Sequence, residues 1–432
     1  MLVLRGGRVI DPSRGFDGPA DVVIENGRIV RLGLGAAAGI TAIPDKVRVV
    51  DATGLWITPG FVDLHVHFRE PGYEYKEDIA SGLRAAAAGG FTAVCAMPNT
   101  KPVNDTRAIT EMMMARARHA GGPRLYPIAA ATVGSEGKQI TEMADLREAG
   151  AIGVSDDGKC VMNAAVMRRS LEYARTFDMM FSQHCEDHHL TAGAQMHEGE
   201  VSTRLGLAGW PRAAEDVIVA RDLVLAEMTG ARYHVAHVSS LGAVRLLREA
   251  KSRGLAVSAE VTPHHLLLTH DALLGYDTAC KVNPPLREAE DREALREALK
   301  DGTIDCIATD HAPHSGLEKD CEFEAASPGM IGLEPAISVM LGLVRDNVFT
   351  AQRLIESLSS SPSRIARIDA GTLREGALAD VAVIDPEVAF TLDAAGLSSR
   401  SSNTPFLGMQ LRGRVVMTLV GGDIVHEVKG AS

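Results

Sequence analysis

Apolar and polar positions follow two different rhythms along this chain of 432 residues. Residues 1–56 form short β-like runs, and Glu25-Asn26-Gly27 separates two of them in the manner of a tight hairpin. Over 57–370, apolar strand-like runs alternate with segments rich in Ala, Leu, Arg and Glu, which is typical of βα repeats. Residues 371–432 return to β-like stretches punctuated by Gly and Pro. The pattern predicts an α/β segment with a β-rich segment at each end.

The central segment contains eight strand-like runs. They are Gly60–Phe68, Phe91–Asn99, Arg124–Ala131, Ala151–Asp157, Met179–Glu186, Arg232–Ser239, Val257–Leu268 and Ile304–Asp310. Helices such as Asp78–Gly89, Asn163–Phe177 and Leu241–Gly254 are predicted between them. Eight such units favour a closed (β/α)8 TIM-type barrel over an open sheet. We therefore expect a barrel domain over 57–370 and a small composite β-sandwich domain, in which 1–56 pairs with 371–432.

Charge and cysteine usage narrow the classes of function. With 44 Lys and Arg against 56 Asp and Glu, the formal net charge is −12, and no Lys/Arg-rich run stands out. This balance argues against nucleic acid and membranes as partners. The six cysteines are far apart and include no C-x-x-C pair, so neither a disulfide framework nor a cysteine zinc site is indicated. Because the sequence also predicts no signal peptide and no membrane span, we expect a cytoplasmic protein.

A metal centre is predicted from residues at the ends of the strands. His65 and His67 lie two apart on the first strand, so their imidazoles point to the same side. A bare H-x-H pair is more often structural, but metal-competent side chains recur at the ends of later strands, where a barrel has its active site. These are Asp157, His184, His237 and Asp310. Four histidines and two carboxylates suit two zinc ions that share a carboxylate and a hydroxide.

Other residues near these positions are interpreted individually. Arg69, two residues beyond His67, is directed to the same barrel mouth, where its guanidinium suits a substrate carboxylate; the alternative is a surface salt bridge. Asp156 and Asp157 point in opposite directions in an extended segment, so only one of them can bridge two metals. Five other histidines near these positions are typical of internal packing or surface positions: His188, His189, His234, His264 and His265.

Seven motifs in order along the barrel resemble the amidohydrolase superfamily and, within it, the bacterial class I dihydroorotase family. They are Gly60-Phe-Val-Asp-Leu-His-Val-His-Phe-Arg-Glu-Pro-Gly72, Met97-Pro-Asn-Thr100, Ser155-Asp-Asp-Gly158, Ala236-His-Val-Ser239, Lys281-Val-Asn-Pro-Pro-Leu286, Ala308-Thr-Asp-His-Ala-Pro-His314 and Pro328-Gly-Met-Ile-Gly-Leu-Glu334. Asn403-Thr-Pro-Phe406 and Gly421-Gly-Asp423 resemble the C-terminal strands of the family. The resemblance therefore covers nearly the whole chain.

The resemblance implies a role for each site residue. His65, His67 and Asp310 would hold one Zn²⁺, His184 and His237 the second, and Asp157 with a hydroxide would bridge the two. Arg69 and Asn99 would bind the carboxylate of an anionic substrate. His67, Asn283, His314, Pro328 and Gly329 would also contact the substrate, the last two from a loop that can close over the site.

The implied activity is the reversible hydrolysis of L-dihydroorotate to N-carbamoyl-L-aspartate, with the ring closing in pyrimidine synthesis. A zinc-bound hydroxide would attack the ring carbonyl, and Asp310 would pass its proton to the leaving ring nitrogen. The resemblance also implies a homo-oligomer such as a dimer, and it leaves open an association with an aspartate transcarbamoylase.

Two alternatives remain open at this point. The first is an allantoinase or hydantoinase, but those relatives use a carboxylated lysine as the bridge, where this chain has Ser155-Asp-Asp-Gly158; Lys159 is two residues out of register. The second is a catalytically silent subunit that serves as a scaffold for an aspartate transcarbamoylase. Such subunits are expected to have lost metal ligands, whereas this chain has all six.

Overall fold

The computed structural model describes residues 1–428, so the last four residues of the predicted C-terminal segment, 429–432, lie outside the described residues. Five strands precede the barrel: β1 Leu2–Asp11, β2 Phe16–Glu25, β3 Arg28–Gly33, β4 Arg48–Asp51 and β5 Trp56–Pro59. Asn26 and Gly27 join the antiparallel strands β2 and β3 with φ of 52° and 75°. Two consecutive residues with positive φ are what a type I′ hairpin turn requires, so the predicted hairpin is confirmed.

The next ten strands include those of the barrel. They are β6 Phe61–Val66, β7 Phe91–Ala96, β8 Arg124–Ala129, β9 Gly153–Val154, β10 Met180–Gln183, β11 Met196–His197, β12 Gly209–Trp210, β13 Tyr233–Val235, β14 Val257–Val261 and β15 Cys306–Ile307. All but β11 and β12, which pair with each other, form one parallel sheet of eight strands in chain order within residues 1–428.

The two edges of this sheet meet where β15 returns to β6. The backbone N–H of His67 donates to the carbonyl of His311 at 2.9 Å, and the Thr309 hydroxyl donates to the buried Asp63 carboxylate at 2.6 Å. The predicted (β/α)8 barrel is therefore confirmed. Its closing contacts come directly before and after Asp310, which fixes the position of that residue at the barrel mouth.

Helices follow the barrel strands over residues 79–366. They are α1 Ile79–Ala88, α2 Arg107–Ala120, α3 Met143–Ala149, α4 Ala164–Thr176, α5 Glu200–Leu205, α6 Ala213–Thr229, α7 Leu241–Ser252, α8 Pro263–Leu267, α9 Ala289–Asp301, α10 Gly316–Lys319, α11 Ala336–Arg345, α12 Ala351–Leu358 and α13 Ser360–Ala366. Side-chain caps start several of them: Asp78 Oδ1 accepts from Ser81 N–H before α1, and Asn163 Oδ1 accepts from Ala165 N–H before α4. None of the helices described over 1–428 is long and apolar enough to cross a membrane.

One predicted strand, Val257–Leu268, is wrong in its second half. Strand β14 ends at Val261, and the chain then turns into the short helix α8. Thr262 caps this helix by accepting a hydrogen bond from His265 N–H at 3.2 Å. Pro263 occupies the first helical position, where its fixed φ and missing N–H are tolerated. The single apolar run in the sequence therefore corresponds to a strand followed by a capped turn of helix.

The C-terminal strands are β16 Val381–Thr391, β17 Gln410–Val420 and β18 Asp423–Glu427. In residues 1–428 they join the N-terminal strands in a second sheet, with the order β18-β17-β16-β5-β1-β2-β3 and with β4 on β1. Strand β5 makes the connection, because it pairs with β1 in parallel and with β16 in antiparallel orientation. Buried apolar side chains from both ends of the chain, such as Leu4 and Leu419, form the core of this sheet.

Candidate metal centre and substrate pocket

The six predicted metal ligands lie together at the C-terminal ends of the barrel strands. They are His65, His67, Asp157, His184, His237 and Asp310, and each is at most 7% exposed. Asp157 lies between two groups of imidazoles: its Oδ1 is 3.2 Å from His65 Nε2 and 3.8 Å from His237 Nε2. Asp310 Oδ1 is 3.0 Å from His67 Nε2, and His184 Nδ1 is 2.9 Å from His237 Nε2. The barrel thus converges all six ligand groups on one small volume.

Hydrogen bonds on the outer side of the centre fix which ring nitrogen faces inward. His65 Nδ1 lies 2.8 Å from Glu260 Oε1, and His67 Nδ1 lies 2.8 Å from Asn99 Oδ1. Because these oxygens are acceptors, each Nδ1 donates its proton outward, and Nε2 of each ring is the nitrogen that faces the carboxylates of the centre. His184 is arranged in the opposite sense, with Nε2 bonded to Glu186 at 2.9 Å and Nδ1 turned inward.

The electrostatics of the centre follow from buried charges in close contact. Although burial would raise it, the neighbouring histidines hold the pKa of Asp157 well below its usual value. The pKa of Asp310 is lowered in the same way, against burial, by its bond to His67 and the nearby imidazoles. Burial lowers the pKa of His65, but the Asp157 and Glu260 carboxylates outweigh burial and raise it. Both aspartates are therefore ionised at neutral pH, as metal ligands must be.

Three residues of the site have backbone conformations that side chains usually avoid. The φ angles of Arg69, His237 and Asp310 are 60°, 31° and 47°. A non-glycine residue in this region costs about 1–3 kcal/mol and persists only where its surroundings enforce it. Such strain is concentrated at functional sites, and here it aims a guanidinium, an imidazole and a carboxylate at the same point.

The donor set fits a metal ion. Among the described residues, His65 Nε2 and Asp157 Oδ1 are fully buried and have no hydrogen-bond partner. An unpaired buried polar atom is costly, and a cation between these two atoms would satisfy both. Ligand atoms of His65, His67 and Asp310, and likewise of His65, Asp157 and His237, lie within 4.8 Å of one another. Imidazole and carboxylate groups in this arrangement suit a borderline divalent cation.

A cavity of about 210 Å³ opens beside the metal centre. Its walls include every residue predicted to contact the substrate: His67, Arg69, Asn99, Asn283, His314, Pro328 and Gly329. Arg69 Nε donates to the Pro313 carbonyl at 3.2 Å, and its guanidinium forms no ion pair with a carboxylate among residues 1–428. Asn99 faces the centre instead, since its Nδ2 lies 3.4 Å from Asp157 Oδ2. The cavity thus places the Arg69 guanidinium beside the cluster of predicted metal ligands.

His314 is held in one neutral form on the wall of this cavity. Its Nε2–H donates to the Pro328 carbonyl at 2.9 Å, and Lys76 Nζ lies 3.5 Å from its Nδ1. Burial and the charges of Arg69 and Lys76 lower the pKa of His314 to about 2. The residue therefore offers an uncharged ring at neutral pH, and its position is tied to the loop that carries Pro328.

Sequence reasoning missed two carboxylates that orient the ligands, Glu260 and Glu186. Burial would raise the pKa of Glu260, but bonds from His234 and His65 lower it to about 2, so Glu260 is an anion within the barrel. A glutamate in the apolar run of β14 was a visible signal, because charged residues are seldom buried without a partner. His234 itself is fully buried and bonded to Glu260 at 3.0 Å, which agrees with an internal position.

Asp156 and Lys159 lie away from the centre. Asp156 Oδ1 accepts from Thr132 N–H at 2.9 Å, on the side opposite Asp157, and Lys159 is exposed. A second group of possible ligands, His197, His270 and Glu288, lies elsewhere. There Arg287 Nη1 donates to His197 Nδ1 at 3.2 Å, which places the His197 proton on the nitrogen that faces Glu288. That tautomer disfavours a metal at this second position.

A buried histidine and aspartate centre at the mouth of a (β/α)8 barrel, with a cavity beside it, is typical of barrel hydrolases that bind a metal. Comparisons with known proteins then specify the family. The family described as Dihydro-orotase-like matches residues 54–242. A protein named dihydroorotase from Anaeromyxobacter dehalogenans strain 2CP-C is 56% identical over 429 residues, which are 99% of this chain and 98% of the relative.

A second protein with the same name, from Syntrophus aciditrophicus strain SB, is 51% identical over 426 residues. These residues are 99% of this chain and 99% of the relative. The chain therefore belongs to the dihydroorotase family, whose members are hydrolases of a cyclic amide. The predictions of this family and of an enzyme of this type are confirmed.

Solved structures of related folds agree with the architecture. The L-hydantoinase (dihydropyrimidinase) from Arthrobacter aurescens superposes with a TM-score of 0.87 at 24% identity, covering 99% of this chain and 96% of that one. The dihydropyrimidinase from Brevibacillus agri NCHU1002 gives 0.84 at 23% identity, covering 98% and 95%. At this level of identity the likeness shows the fold alone.

Proposed function

We propose that the chain catalyses the reversible hydrolysis of L-dihydroorotate to N-carbamoyl-L-aspartate, with ring closure as the direction used in pyrimidine synthesis. The observation that carries this proposal is the guanidinium of Arg69, which forms no ion pair with a carboxylate within residues 1–428 and lines the same cavity as the His/Asp centre. A chain with a net charge of −12 attracts an anionic substrate only through local positive charge. Lys76 does not supply it, because its ammonium is paired with Glu318 at 2.5 Å.

We also propose that the resident metal is zinc and that each chain holds two ions. His65, His67 and Asp310 would hold the first, His184 and His237 the second, and Asp157, which lies between the two groups, would contact both. When bound, such a pair would activate a water molecule for attack near neutral pH and would polarise the ring carbonyl. Because the bridging group is an encoded aspartate, the centre needs no carboxylated lysine.

The side chains of the cavity then have separate tasks. Arg69 binds the substrate carboxylate through two parallel N–H groups and so fixes the ring relative to the centre. Asn99, Asn283 and the loop of Pro328 and Gly329 surround the ring. The ionised Asp310 accepts the proton of the attacking nucleophile at a carboxylate oxygen and returns it to the leaving ring nitrogen.

A comparison of three substrates tests the proposal. Zinc-loaded protein is offered L-dihydroorotate, allantoin and hydantoin side by side, with an Asp157→Ala variant purified in the same way as a control for contaminating activity. We expect turnover of L-dihydroorotate alone and none with the variant. Preference for allantoin or hydantoin would contradict the proposal, and inactivity on all three with both metals bound would support the silent scaffold.

The cellular location, the oligomeric state and a partner of the enzyme are also part of the proposal. We propose that it works in the cytoplasm as a homo-oligomer such as a dimer, and that it can associate with an aspartate transcarbamoylase. Light scattering of the purified chain, alone and mixed with that enzyme, measures both masses directly. A monomer that stays separate from the transcarbamoylase would remove both parts of this proposal.

A further inference from the structure

We infer that Asn403, from the segment between β16 and β17, is a positioning residue for the substrate pocket. The inference rests on the proposed function, because it assigns Asn403 to the loops that would contact the substrate. Asn403 is 8% exposed and is not part of the cavity wall. It therefore acts through other residues, and its hydrogen bonds show which ones.

The Asn403 side chain joins two separate loops. Its Oδ1 accepts from the backbone N–H of His314 at 3.0 Å, and its Nδ2 donates to the carbonyls of Ala312 and Gly329, both at 3.1 Å. Its own carbonyl accepts from Ile331 N–H at 2.9 Å. Only a side chain with both an acceptor and two donors can make this set of bonds, and an amide is the shortest that has them.

Both loops contribute residues to the wall of the cavity. One follows Asp310 and carries His314; the other carries Pro328 and Gly329. They also touch each other, since Ala312 N–H donates to the Met330 carbonyl at 2.8 Å. A Cβ built on Gly329 would come within 2.8 Å of the Ala312 Cβ, so the loops approach as closely as their backbones allow.

The metal centre, in contrast, is held by groups that do not involve Asn403. Asp63 fixes Thr309, next to Asp310, and Glu260 fixes His65. Loss of the Asn403 amide leaves three buried backbone groups without a partner, which favours separation of the two loops. The substrate pocket should therefore lose its shape, whereas the predicted metal ligands should keep their positions.

Kinetics of Asn403→Ala separate these two effects. We expect KM for L-dihydroorotate to rise about tenfold or more, with kcat within about threefold of the wild type and unchanged zinc content. Asn403→Asp should be at least as impaired, because it keeps the acceptor for His314 but turns a carboxylate oxygen towards two carbonyls. Ser402→Ala, at the exposed neighbouring position, should behave as the wild type.

Hydrogen exchange tests the same inference without using activity. In Asn403→Ala the amides of Ala312, His314 and 329–331 should exchange at least about tenfold faster, while those of β7 and β8 stay as protected as in the wild type. If Asn403→Ala does not fold, the milder variant Asn403→Ser is measured instead, both by steady-state kinetics and by hydrogen exchange.

A folded variant with wild-type KM and unchanged exchange in these loops would overturn the inference. A fall in kcat with unchanged KM would do so too, since it would place Asn403 with the metal centre. If the wild type does not turn over L-dihydroorotate, the proposed function fails, and the exchange data alone decide the role of Asn403.

Discussion

At the scale of single residues, the chemistry of the centre depends on which nitrogen each histidine turns inward. The period of two on β6 was enough to predict that His65 and His67 point the same way. It could not predict that Glu260, nearly two hundred residues later, would accept a hydrogen bond from His65 Nδ1. Contacts of this kind depend on barrel closure, and a local pattern contains no information about them. The same holds for Asn403 and the loops it joins.

Asp310→Asn tests the proton transfer. The amide keeps its size and an oxygen that can ligate, but it cannot accept a proton at neutral pH. General acid–base catalysis contributes about 10²–10⁴-fold, so turnover should fall by a factor in this range while zinc content stays near the wild-type value. Steady-state kinetics and elemental analysis measure the two quantities, and the exposed Asp320→Asn is the matched control. A variant with both metals and more than about a tenth of wild-type turnover would leave Asp310 as a ligand only.

Arg69→Lys tests recognition of the substrate carboxylate. Lysine keeps the positive charge but loses the pair of parallel N–H donors, so KM for L-dihydroorotate should rise by about tenfold, well beyond any loss of metal. Arg31→Lys, at an exposed position on β3, controls for the substitution itself. An unchanged KM in Arg69→Lys would remove this residue from the binding site.

At the scale of secondary structure elements, caps and periodicity determined most of what could be predicted. Helices α1, α4 and α7 lie within the predicted ranges because each has a side-chain cap that the sequence shows: Asp78, Asn163 and Ser240. The strand ends were predicted less well. The apolar run that begins at Val257 continues into α8, and apolar composition alone cannot distinguish a buried strand from a buried turn of helix.

Gly332→Ala tests the contact that seats the last barrel strand. A Cβ at Gly332 would come within 2.8 Å of the Thr309 carbonyl oxygen, next to Asp310, so something must shift. Overpacking of this kind costs about 1–3 kcal/mol, and we expect a lower Tm together with weaker zinc retention. Gly342→Ala in α11 meets no atom within 4 Å and should leave Tm unchanged or raise it. Equal Tm values for the two variants would show that stability does not depend on the close approach of Gly332 to Thr309.

At the scale of the whole molecule, the two ends of the chain meet in one sheet. Strand β5 is the point of contact, and the Asp380 carboxylate, at the start of β16, pairs with Arg124 at the start of β8. The β character of both ends was visible in the sequence, but their pairing was predicted only because two unpaired β-rich segments need partners. The division into a barrel domain over 57–370 and a composite sandwich domain of 1–56 with 371–432 stays a prediction.

Zinc titration of metal-free protein tests the central claim most directly. Protein stripped with a chelator is loaded with increasing Zn²⁺ and assayed with L-dihydroorotate, while bound zinc is counted by elemental analysis. We expect activity to return in proportion to metal up to about two zinc ions per chain, with no stimulation by bicarbonate. Full activity at one ion, saturation at one ion, or a requirement for bicarbonate would contradict a two-zinc dihydroorotase centre bridged by Asp157.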